Sequence, residues 1–139
     1  MTRLFIDTNV LIDVLLEREP FYASSMQVWT LCEEGKFRGH ISVISFNNIY
    51  FIVRKQKSRE DAQRTLTVLR DIFTPVPLDA QVINQSIAAD FKDFEDAIQF
   101  HSALRADAQA IITRNPAHFP ISGPRILSPK ELIASLTIK

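Results

Sequence analysis

The sequence predicts an α/β fold, a mainly parallel sheet covered by helices on both faces. Short β-branched and aromatic runs alternate along the chain with longer amphipathic stretches, the pattern of strands joined by crossover helices. The length, 139 residues with 46% hydrophobic side chains and ten Phe, is enough for a core of its own and fits one domain spanning 1–139. The chain holds only three Gly, and neither G-x-G-x-x-G nor G-x-x-x-x-G-K-[ST] occurs. That removes a glycine-rich phosphate loop, and with it dinucleotide and Walker-type nucleotide binding.

The elements follow in order. Arg3–Ile6 is a strand that stops at Asp7-Thr8-Asn9, and Val10, Leu11, Val14 and Leu15 return with helical spacing. A second helix is predicted with Pro20 in its first turn and Met26, Trp29 and Cys32 on one face, ending at Gly35. Phe37–Ser42 reads as a strand. Val43–Val53 is apolar on nearly every side, and its length favours a helix. Ser58 is an N-cap followed by acids in the first turn, and Ala62, Leu66, Leu69 and Phe73 form the apolar face of the helix it starts. Pro75 and Pro77 flank Val76, which allows only a short or edge strand. Asp79 opens a helix expected to end near Phe91, and Phe94–Leu104 is helical again. Ala108–Thr113 is a buried-looking strand. Ser128-Pro129-Lys130-Glu131 has the capping-box pattern that starts a last helix.

Sixteen Lys+Arg balance sixteen Asp+Glu, which argues against a polybasic mode of nucleic-acid binding. One Cys permits no internal disulfide and no thiol-based zinc site. A carboxylate arrives at Asp7, too early for the apolar stretch of a signal peptide, and no apolar run is long enough to span a membrane. A cytoplasmic protein without membrane contact is expected.

Ligands of open parallel sheets lie beyond the carboxyl ends of the strands. Asp7 sits at such an end, either capping the next helix or holding a cation. Asp90, Asp93, Glu95 and Asp96 form a second acidic cluster. Asp93 and Asp96 are three apart at a helix start, where the helix dipole alone favours acids. Should the strand Ala110–Thr113 lie beside the first strand, Asp7, Asp93 and Asp96 would face one site. Their mutual repulsion would then call for a hard cation such as Mg²⁺ or Mn²⁺. One or two carboxylates, water and a substrate phosphate around such an ion is the arrangement of metal-assisted phosphodiester hydrolysis.

Three blocks carry a family likeness. Phe5-Ile6-Asp7-Thr8-Asn9-Val10-Leu11-Ile12-Asp13 resembles the opening motif of PIN-domain proteins. Asp93-Phe94-Glu95-Asp96-Ala97-Ile98 resembles their central acidic motif, and Ile111-Ile112-Thr113-Arg114-Asn115-Pro116 with Phe119 their third signature. The blocks occur in the family's order and the likeness covers almost the whole chain. It implies a parallel five-stranded α/β/α sandwich and a Mg²⁺- or Mn²⁺-dependent endoribonuclease, as in the VapC-type toxins of toxin–antitoxin pairs. RNA as substrate, an antitoxin protein as partner and a homodimer follow from the same likeness. Carried over by position, Asp7 and Asp96 would hold metal, Asp93 would act as a ligand or water-positioning base, and Thr8 and Asn9 would shape the turn that aims Asp7.

Two positions depart from the family pattern. Many PIN nucleases carry Glu in the helix after the second strand, where this chain has Asn48, and a further Asp after the fourth strand, where it has Asn115. An amide binds metal through its carbonyl but adds no charge and is no base at neutral pH. Weaker metal affinity is expected, and a catalytically weak or silent module that binds RNA or protein is the alternative reading. An aspartate-based phosphatase ranks last, because the residue two after Asp7 is Asn9 rather than a second Asp.

Among the remaining residues, Asn9 and Arg114 are candidates for substrate contact, Arg114 because it directly follows the strand that would line the site. Arg54, Lys55, Lys57, Arg59, Arg64 and Arg70 form a basic segment, either an RNA-steering surface or a solvated helix face. Tyr22, Trp29, Tyr50 and Phe100 are assigned to packing or a dimer surface, and Cys32 to the core. His40, His101 and His118 show no metal-ligand spacing.

Overall fold

The computed structural model describes residues 2–137. Five parallel strands form one sheet in the order β3-β2-β1-β4-β5. They are β1 (Arg3–Ile6), β2 (Arg38–Ser42), β3 (Thr74–Val76), β4 (Ala110–Ile112) and β5 (Arg125–Leu127). The helices are α1 (Thr8–Leu15), α2 (Tyr22–Glu33), α3 (Val43–Gln56), α4 (Arg59–Ile72), α5 (Ala80–Ala88), α6 (Phe94–Arg105) and α7 (Pro129–Thr137). This is the expected α/β/α arrangement with a five-stranded parallel sheet.

The alternation of side chains along β1 divides the core. Leu4 and Ile6, with Ile41, Ala110 and Ile112, join the cluster formed with α1, α2, α3, α4 and α7. Phe5 and Ile111 point the other way, against Phe100 and Ala103 of α6 and Phe119. Both faces of the central strands are covered, so β1 and β4 read as unbroken apolar runs. β3, with Pro75 in it, lies at the sheet edge and among the described residues pairs with β2 alone, which is where a sheet tolerates a strand lacking a ladder donor. Gly39 lies against Phe73 so closely that a Cβ there would come within 2.7 Å of the ring and 2.9 Å of Cys32 Sγ.

The caps agree with the sequence. Ser58 Oγ accepts from Asp61 N and Asp79 Oδ1 from Val82 N, each at 3.0 Å. Ser128 and Glu131 close the reciprocal box of α7 at 3.1 and 2.8 Å. Several assignments differ from expectation, besides strand and helix ends that shift by a few residues. Pro20 lies in the turn before α2, which starts at Tyr22. α5 stops at Ala88 because Ala89 turns extended, and Phe91 instead packs on the α6 side of the core. β5 escaped the residue pattern because three residues between turn-forming segments leave no period to read.

β1 lies between β2 and β4, paired in parallel with both. The chain therefore crosses to opposite sides of β1 in its first and second halves, which opens a crevice at the carboxyl ends of β1 and β4.

Candidate active site

Asp7 is the first residue beyond β1. Its N–H continues the sheet by donating to Ile112 O at 2.9 Å, and its backbone is extended at the N-cap position of α1. The side chain does not cap that helix. It turns to β4, where Thr113 Oγ1 donates to Oδ2 at 2.8 Å. The carboxylate is 5% exposed. Burial pushes its pKa from 3.8 up to about 6; the Thr113 hydrogen bond opposes this, while the charges of Asp96 and Glu95 add to it.

Thr113 was not apparent as a site residue from the sequence, where it reads as the last residue of a strand. It is fully buried, donates to Asp7, and accepts from Asn115 N at 3.1 Å. One hydroxyl thereby orients the carboxylate and shapes the turn that carries Asn115. Thr8 plays a part other than the expected turn. Its Oγ1 lies 2.6 Å from Ser45 Oγ of α3 and accepts from Gln99 Nε2 of α6 at 2.8 Å, so it ties three helices together beneath Asp7. Asn9 Oδ1 is buried without a hydrogen-bond partner.

The acidic cluster divides by role. Asp93 is the N-cap of α6, its Oδ1 accepting from Glu95 N at 2.8 Å and Asp96 N at 3.3 Å. Helix capping, the ordinary explanation for acids at such a position, thus occupies one of its oxygens. Asp96 is half-buried, with Oδ2 3.3 Å from His118 Nδ1. Burial and Asp93 raise its pKa, and His118 opposes them. His118 stands in a 3-10 turn, Pro116–His118, after β4. No spacing links it to Asp96 in sequence; only the fold brings the two together. A cleft of about 490 Å³ opens beside them, lined by Asp90, Phe91, Asp93, Asp96, His118 and Phe119 among others.

Arg114 is not turned toward this cleft. Its Nε pairs with Asp13 Oδ2 at 3.3 Å, and its guanidinium sits 4.3 Å from the centre of the Phe21 ring. Asp13 is fully buried. The cation therefore neutralises an interior charge and fastens the α1–α2 connection to the end of β4, which corrects the expectation of a phosphate contact. In the basic segment, Arg64 pairs with Asp61 and Arg70 with Asp71 within α4. Cys32 is buried in the core with its thiol pushed up to about 12, so it stays protonated.

A hard divalent ion fits the donor set through carboxylates and amide oxygens. Asp7 is a desolvated anion with one hydroxyl donor, and the Asn9 side-chain carbonyl, two residues on, is a buried oxygen without a hydrogen-bond partner. Among the described residues no three His, Cys, Asp or Glu side chains form a ready cage. That suits an ion held by one or two carboxylates and completed by water and substrate.

A switch-point crevice with a buried carboxylate at the end of β1 and acids at the start of the helix before β4 defines a class. The PIN domain model matches residues 3–117, and the chain belongs to the PIN-domain family. It is 22% identical over 121 residues to Ribonuclease VapC1 of Aquifex aeolicus (strain VF5), covering 84% of each chain. Two solved structures share the fold. One is VapBC-1 from nontypeable Haemophilus influenzae, with TM-score 0.68 and 16% identity, covering 93% of this chain and 99% of that one. The other is a toxin–antitoxin complex from Klebsiella pneumoniae, with TM-score 0.67 and 21% identity, covering 91% and 97%. Among the described residues no helix is long and apolar enough to cross a membrane.

Proposed function

We propose that the protein is a Mg²⁺- or Mn²⁺-dependent endoribonuclease of VapC type, the toxin of a toxin–antitoxin pair, acting on RNA in the cytoplasm. The observation that carries the reading is the Asp7 carboxylate, buried at the carboxyl end of β1, pushed up to about 6, and repelled by Asp96 and Glu95, with no cation paired to it among the described residues. The similarity to a protein named a ribonuclease supports the substrate class, and the likeness to toxin–antitoxin complexes supports an antitoxin partner.

Asp7 and Asp96 would hold the ion, with the Asn115 carbonyl as a neutral donor and the second oxygen of Asp93 as a water-orienting group. When bound, the ion polarises the phosphodiester and supplies an activated water. The chain's own residues do the positioning. Thr113 fixes the Asp7 rotamer, the Thr8 knot with Ser45 and Gln99 holds α1, α3 and α6 at set distances from it, and His118 orients Asp96.

The test is cleavage of single-stranded RNA by purified protein after EDTA treatment and re-addition of Mn²⁺ or Mg²⁺. Metal-dependent cleavage that Asp7→Ala and Asp96→Ala each abolish supports the enzyme. A silent RNA- or protein-binding module, favoured by the amides at Asn48 and Asn115, is supported instead if the metal-loaded protein leaves RNA intact.

A further inference from the structure

A second cavity opens where Arg114, just past β4, meets the α1–α2 connection and the start of α7. The segment after β4 borders both hollows: Arg114 lines this one and His118 the Asp96 cleft. Its volume is about 160 Å³. That is several times the ~30 Å³ share of one water and well short of the roughly 300 Å³ at which drug-sized sites begin, so it suits one flat ring system rather than a whole nucleotide. Pro20, Phe21 and Pro129 give it apolar walls, Asp13 and Ser25 a buried floor, and Lys130 an exposed rim. The floor is polar and unpaired. Asp13 Oδ1, Asp13 Oδ2 and Ser25 Oγ have no hydrogen-bond partner among the described residues, in side chains that are 0% and 1% exposed. Arg114 Nε stands 3.3 Å from Asp13 Oδ2 as an ion-pair neighbour and makes no hydrogen bond either. Buried polar atoms of folded chains nearly all have partners, so three orphaned oxygens on one cavity call for a bound group that supplies N–H donors.

Resting on the RNA-acting reading above, we propose that this cavity takes the guanine base of an RNA strand. A carboxylate flanked by a guanidinium presents acceptor, acceptor and donor in a row: Oδ1, Oδ2 and Arg114. The Watson–Crick edge of guanine presents the complement, N2–H, N1–H and O6. Adenine and cytosine bring one amino group beside a ring-nitrogen acceptor, and uracil brings one N–H between two carbonyls, so each sets an acceptor against the carboxylate. Arg114, its guanidinium 4.3 Å from the centre of the Phe21 ring, is held in place beside Asp13 as the donor of the row. Ribose and phosphate stay outside the cavity, on the side of exposed Lys130.

The test is calorimetric titration in EDTA, which stops metal-dependent cleavage, with guanosine, inosine and adenosine and with the RNA oligomers UUGUU and UUIUU. Guanosine should bind, and inosine, which lacks the N2 amino group, should bind about tenfold or more weakly through loss of one hydrogen bond to a charged group. Adenosine should not bind detectably. UUGUU should bind more tightly than guanosine, because its phosphates add contacts at the rim, and more tightly than UUIUU. Ser24→Leu, at a half-buried lining position, should fill the cavity and abolish guanosine binding at an unfolding midpoint close to wild type. The nucleoside series itself needs no variant. The inference is overturned if guanosine fails to bind at about millimolar concentration, the result expected of a cavity that holds water only. Equal binding of inosine or adenosine, or undiminished binding by folded Ser24→Leu, overturns it too. Guanosine binding more tightly than UUGUU would overturn an RNA strand as the source of the base. Metal-dependent RNA cleavage without guanosine binding would remove this pocket alone, whereas guanosine binding by a protein that leaves RNA intact would keep the pocket and remove the nuclease.

Discussion

Replacing Asp7 by Asn should make the metal-free protein more stable while destroying the site. The native carboxyl titrates at about 6 instead of 3.8, so it holds its proton more tightly than the unfolded chain does. Below about pH 3 both states are protonated and Asp7 costs nothing; as pH rises from there to about 6 the folded state loses stability progressively, and above that the loss is complete. At about 1.36 kcal/mol per pH unit, the full cost above that range is roughly 3 kcal/mol. Asn keeps an oxygen for Thr113 but introduces an amide N–H that must find an acceptor, a correction of about 1–2 kcal/mol. The net gain expected for Asp7→Asn in EDTA near pH 7.5 is therefore about 1–2 kcal/mol, or roughly 3–6 °C in midpoint. The assay is urea unfolding of both proteins in EDTA from about pH 3 to pH 8. The advantage should be absent at the acid end, grow toward about pH 6 and then level off, and saturating Mn²⁺ should reverse it by stabilising wild type alone. An equally stable or weaker Asp7→Asn at pH 7.5, or a difference that ignores pH, would refute the reasoning.

Three further outcomes follow from the same geometry. Thr113→Val should leave the Asp7 carboxylate without its donor, costing about 1–3 kcal/mol above pH 6 in urea unfolding and lowering RNA cleavage about tenfold or more. Arg114→Ala should cost about 3 kcal/mol by stranding the buried charge of Asp13, and adding Asp13→Asn should recover much of it in a double-mutant cycle. Should Arg114→Ala instead leave the unfolding midpoint unchanged and weaken only RNA binding, its assignment to Asp13 fails. Asp93→Ala should lose about 1 kcal/mol of stability through the α6 cap, and Asp93→Ser should restore it, as read by thermal unfolding.

Much of this was legible because local chemistry and tertiary structure agree. The caps at Ser58, Asp79 and Ser128 are local hydrogen bonds, so the residue types that make them announce them. The two prolines around Val76 foretold an edge strand, and the apolar runs of β1 and β4 foretold strands covered on both faces. In the site, Asp7 was visible as a carboxylate at a strand end. What escaped notice depends on approach in space. Thr113 looks like any strand residue until the parallel pairing of β1 and β4 sets its hydroxyl against Asp7. His118 meets Asp96 only because the 3-10 turn after β4 folds over α6. Arg114 was read by its place after β4, yet Asp13 is a buried anion that claims it from α1, a demand that does not show until burial is known.

The central claim is that folding gathers Asp7 and Asp96 around one divalent ion. A crystal of the wild-type chain grown with Mn²⁺ and read by anomalous scattering at the manganese edge addresses it most directly. The account predicts a peak at about 2.0–2.6 Å from oxygens of both Asp7 and Asp96. A crevice without a peak in the presence of saturating Mn²⁺, or a peak bound by other residues alone, would contradict it.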